Sequence, residues 1–77
     1  MNEGLNPFDY SECYIGVYFE LADKDVALQL FESLDFVRDI KEQHCGYVLT
    51  ICYQHIPEVV KQLAERNIAL YSVIPNK

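Results

Sequence analysis

A chain of 77 residues, 51% hydrophobic and 23% charged, has room for one small globular domain and does not have a disordered composition. Six basic residues against 12 acidic ones leave a formal charge of −6, which opposes binding to phosphate backbones or anionic membrane surfaces. No apolar run reaches the ~18 residues of a membrane-spanning helix, and MNEGLNPFDYSE has neither the basic nor the apolar region of a secretory signal.

Residues 1–12 are polar, with Gly4 and Pro7, and are expected to be a flexible or docked lead-in, held if at all by Phe8 or Tyr10. The domain proper is expected over residues 13–77. CYIGVYFEL, from Cys13 to Leu21, is rich in aromatic and β-branched residues and predicts a strand. Ile15, Val17, Phe19 and Leu21 alternate onto one face, Tyr14, Gly16, Tyr18 and Glu20 onto the other.

ADKDVALQLFESL predicts a helix. Asp23 is its expected N-cap, Asp25 suits the positive end of the dipole, and Ala27, Leu30, Phe31 and Leu34 form an apolar stripe. DFVRDIKEQ predicts a charged edge strand, and HCG a turn. YVLTICYQ predicts a strong strand, with Tyr47, Leu49, Ile51 and Tyr53 on one face and Val48, Thr50 and Cys52 on the other.

HIPEVVKQLAERNIALYSVIP predicts a second helix and a last strand. Pro57 opens the helix where a missing N–H costs nothing, and Val59, Val60, Leu63 and Ala64 form its buried stripe. Asn67 takes the left-handed conformation that stops it. In the last strand Ala69, Tyr71 and Val73 are placed on one face, with Ile68, Leu70 and Ile74 turned inward.

The order β-α-β-β-α-β predicts an α+β, ferredoxin-like two-layer sandwich: a four-stranded antiparallel sheet, first and third strands central, both helices on one face. The other face then carries Tyr14, Tyr18, Val48, Thr50, Cys52, Tyr71 and Val73. An open apolar face of this kind predicts a protein contact, with a second copy of the chain as the expected partner. The aromatic face of RNA-recognition domains is a poor parallel, because the charge is wrong and the glycine-aromatic signature of the third strand is absent.

Three cysteines, an odd number without paired spacing, predict free thiols and a reducing cytoplasm. His44, Cys45, Cys52 and His55 resemble a ligand set, but seven residues of strand put Cys45 about 23 Å from Cys52, so no metal site and no cofactor are expected. His44 and Cys45 are adjacent in sequence, and such neighbours on a strand point to opposite faces, so no nucleophile–base pair is expected. With no phosphate loop, GxSxG or HExxH, no enzyme activity and no catalytic residue are expected.

YFELADKDVALQLFESLDFVRDIK followed by QHIPEVVKQLAERNIALYSVIP resembles the small C-terminal domain of bacitracin-transport-type ABC transporter ATPases. Ile56, Pro57, Glu58, Leu63, Ile68, Tyr71 and Val73 fit that domain's IPEL-x-x-L-x-x-x-G-I-x-x-Y-x-V phrase. Asn67 stands at its glycine. The resemblance implies a regulatory or interaction domain without ATPase activity of its own, and no Walker motif is present. The fold also resembles ACT domains, which bind amino acids at dimer interfaces. That similarity makes a small-molecule ligand the alternative expectation, although ELADKD lacks the ligand-turn glycine.

Overall fold

Alternation in two aromatic strands decides the layers. In the computed structural model, which describes residues 13–76, the elements are β1 (Tyr14–Leu21), α1 (Lys24–Ser33), β2 (Asp39–Gln43), β3 (Gly46–Cys52), a 3-10 turn (Tyr53–His55), α2 (Ile56–Glu65) and β4 (Leu70–Asn76). All strand pairs are antiparallel and the sheet order is β2-β3-β1-β4, so β1 and β3 are central and β4 lies along β1. The class is α+β, with four antiparallel strands and two helices.

Val17, Phe19 and Leu21 of β1 meet Tyr47, Leu49 and Ile51 of β3 in one buried cluster. Ala27, Leu30 and Phe31 of α1 and Val59 and Leu63 of α2 fill it from above. Both helices therefore cover the same face. Phe31 is the hub, its ring 6.0 Å from that of Phe19 and 5.9 Å, edge-on, from that of Tyr47. The predicted strand faces of β1 and β3 hold. The helix stripes hold too, except that Leu34 and Val60 are half-buried and Ala64 is exposed.

The end of α2 is a complete Schellman motif. Asn67 adopts φ 58°, its N–H donates to the Ala64 carbonyl, and the Ile68 N–H donates to that of Leu63. Ile68 then drops into the core beside Leu63.

Three local expectations are corrected. Asp23 makes no side-chain cap and sits at φ 52°. The Ala22 N–H is tied to the Ala69 carbonyl, so the turn from β1 into α1 falls on one residue, and Asp23 takes the left-handed conformation while its carbonyl accepts from the Ala27 N–H. The second strand begins at Asp39 rather than Asp35, because Leu34, Phe36 and Val37 are drawn against the core and the Phe36 ring stacks on His55 at 4.2 Å. Tyr53 leaves the strand for the 3-10 turn and is exposed. The expected docking of Phe8 or Tyr10 lies outside the described residues.

The cysteine expectation is also corrected. Cys13 and Cys52 form a disulfide, because the antiparallel register sets Tyr14 opposite Cys52 and brings Cys13 alongside, and the Tyr53 N–H donates to the Cys13 carbonyl. Cys45 is free and exposed. The sequence spacing of 39 between the bonded pair carries no local signature.

Candidate interaction surface

The sheet face turned away from the helices is built by register. Tyr14, Gly16, Tyr18 and Glu20 of β1 stand opposite Cys52, Thr50, Val48 and Gly46 of β3. Across β2, Asp39 faces Thr50 and Lys41 faces Val48. Across β4, Tyr18 faces Ile74 and Glu20 faces Ser72. Directly opposed residues of an antiparallel pair share a face, so these side chains form one surface. Among the described residues no helix or strand packs on it.

Its centre is aromatic. The Arg38 guanidinium lies over the Tyr14 ring, 4.3 Å from the centroid, in a cation–π contact. The Arg38 backbone N–H donates to the Thr50 carbonyl, which fixes the residue at the sheet margin. Burial lifts the Tyr18 phenol above its ordinary pKa, and Glu20 adds to the shift. Gly16 leaves a shallow gap, and a Cβ there would sit 3.4 Å from a Val48 methyl. Tyr14, Tyr18, Val48 and Thr50 are all half-buried.

Of the seven residues expected on this face, Tyr14, Tyr18, Val48 and Thr50 are brought together. Cys52 has the expected alternation but is sealed in the disulfide. Val73 is not on the face: it stands opposite Phe19 and packs against the core. Tyr71 is the extra residue of a β-bulge, because Glu20 pairs with Ser72 and Leu21 with Leu70. The bulge shifts the phase of β4 by one, so Ile74, expected inward, is outward and 53% exposed. Sequence reading missed Arg38 and Ile74. Arg38 was hidden because its segment read as a continuous strand, and Ile74 because a bulge has no apolar-pattern signal.

A second feature lies where β4 ends beside α2. Tyr53, Gln54, Ile56, Pro57, Val73 and Pro75 line a pocket of about 290 Å³ with no charged group in its wall. At the opposite end of the sheet, Lys24 binds Glu42 at 2.8 Å and also donates to the Gln43 carbonyl. The hydrogen bond to Glu42 holds the Lys24 ammonium above its usual pKa. Among the described residues no group of three or more His, Cys, Asp or Glu is placed to hold a metal, and no helix is long and apolar enough to cross a membrane. Comparison with known family models, curated proteins and solved structures gives no match to this chain.

Proposed function

We propose that the chain is a non-enzymatic interaction or regulatory module of ferredoxin-like topology, working as a homodimer, with the open sheet face as its docking surface for a protein partner. The observation that carries this reading is the composition and position of that face. Two tyrosines, an arginine stacked on one of them, a valine and an exposed isoleucine share a surface that no described helix or strand covers. Tyr and Arg are the residue types that dominate contact energy between proteins. The topological name draws support from the order β2-β3-β1-β4 and from both helices lying on one face. The resemblance to the tails of bacitracin-transport-type ATPases points to the same class of module.

The sequence reading put the second copy on the open face. The uncharged β4 edge suits the copy better and leaves the face to another protein. An ACT-like amino-acid sensor, with its ligand at a dimer interface, is the alternative reading, and the single-chain pocket has no charged group in its wall. The cytoplasmic expectation rested in part on free thiols, and two of the three cysteines are joined.

The test is affinity capture with wild type and Tyr18→Glu as parallel baits. A buried charge at the centre of a contact costs several kcal/mol on the order of a lost hot spot. The reading expects at least one protein held by wild type and lost by a variant that keeps its fold. Identical captured sets from the two baits contradict it.

A further inference from the structure

Among the described residues, three of the four exposed large hydrophobic ones, Tyr53, Tyr71 and Ile74, lie on β4 or at its pocket. The two sheet edges differ in kind. β2 carries Asp39, Lys41 and Glu42 in its five residues, the usual protection of an edge against further pairing. β4, LYSVIPN, carries no charge in its seven residues, and neither does the pocket wall.

We propose that β4 is the seam of a homodimer, in which two copies pair antiparallel about a two-fold axis at Val73 and each Tyr71 enters the pocket of the other copy. This rests on the homodimeric reading above and names the contact that makes it. The register follows from symmetry. A two-fold axis at Val73 sets Tyr71 opposite Pro75 of the other copy, since the two stand equally far on either side of it. Val73 and Pro75 stand opposite Phe19 and Val17 and so lie on the helix side, where the pocket is, and the bulge leaves Tyr71 at the free edge of the strand. Tyr71 is 67% exposed in the single chain, a large ring without a described seat. The apolar wall of Ile56, Pro57, Val73 and Pro75 gives it one.

Charge selects this edge. Two copies each at −6 repel where their acidic surfaces meet, and approach at least cost where neither carries charge. The bulge at Tyr71 and the missing N–H of Pro75 bound the ladder at both ends, so the seam is short and closed. Ile74 lies opposite Ser72 of the other copy on the open side, and the two open faces become one eight-stranded surface.

The experiment is molar mass by light scattering for wild type, Tyr71→Glu and Tyr18→Glu, with circular dichroism to confirm folding. The seam predicts a two-chain mass for wild type and Tyr18→Glu, and a single-chain mass for Tyr71→Glu. A second variant, Val73→Cys in a Cys45→Ser background, is predicted to oxidise to a covalent dimer across the axis. A folded Tyr71→Glu that stays dimeric overturns the seam but keeps the homodimer, as does a dimer split by Tyr18→Glu alone. A wild type of single-chain mass overturns both. Should Tyr71→Glu fail to fold, the Val73→Cys cross-link decides, and its absence from a dimeric variant counts against the seam.

Discussion

Two glycines of this chain have opposite meanings. Gly46 begins β3 directly against β1, and a Cβ there would run into the Phe19 carbonyl oxygen and lie 3.1 Å from the Glu20 Cα. Backbone cannot yield as a side chain can. Gly46→Ala is therefore expected to cost at least ~3 kcal/mol, as a steric clash in a central strand pair does. Gly16→Ala meets only a Val48 methyl at ordinary contact distance and is expected to stay within about 1 kcal/mol of wild type. Urea unfolding of both variants checks the pair, and equal losses would contradict the close approach at Gly46. Asp23 gives a second residue-scale test. A capping residue would tolerate Ser, whereas a left-handed one prefers Gly. With φ 52° and no side-chain cap, Asp23→Gly is expected to match or exceed wild type, and Asp23→Ser to lose roughly 1 kcal/mol. The reverse ranking in thermal melts would restore the N-cap.

At the scale of elements, the sequence is legible where one residue type has one physical use. Asn67 announced the end of α2 because few residues accept positive φ, and the structure places a full Schellman motif there. Strict alternation in CYIGVYFEL and YVLTICYQ revealed both central strands and the helix-facing core. The remainder depended on contacts between distant segments. The bulge in β4 arises from its pairing with β1, and it reversed the facing of Val73 and Ile74. The disulfide arises from register alone, since Cys13 and Cys52 meet only when β1 and β3 pair. Joining β1's first residues to the end of β3 closes a long loop, and a cross-link of that kind contributes on the order of 2–4 kcal/mol. Reduction, or Cys13→Ala with Cys52→Ala, is expected to lower urea stability by that amount while the circular dichroism of the folded state persists. Thiol titration of the unfolded, unreduced chain is expected to find Cys45 alone. Three reactive thiols would contradict the disulfide.

At the scale of the whole molecule, the arrangement is a sheet with one face spent on its own core and the other uncovered by any described helix or strand. The helices seal Phe19, Phe31 and Leu49 completely, and that sealed layer supports the opposite face without sharing its residues. Changes to Tyr14, Tyr18 or Ile74 can therefore alter contacts without dismantling the core. Charge divides the two edges of the sheet as well, with a charged edge at β2 and an uncharged one at β4. A small domain buries little of its own surface, and a second copy adds to what it can bury.

The measurement that bears most directly on this account is the molar mass of the wild-type chain in solution, followed across about a hundredfold range of concentration. The account predicts a two-chain mass that gives way to a single-chain mass on dilution, as a reversible contact requires. A single-chain mass at every concentration would contradict the homodimer, and with it the pairing of β4 and the enlarged open face.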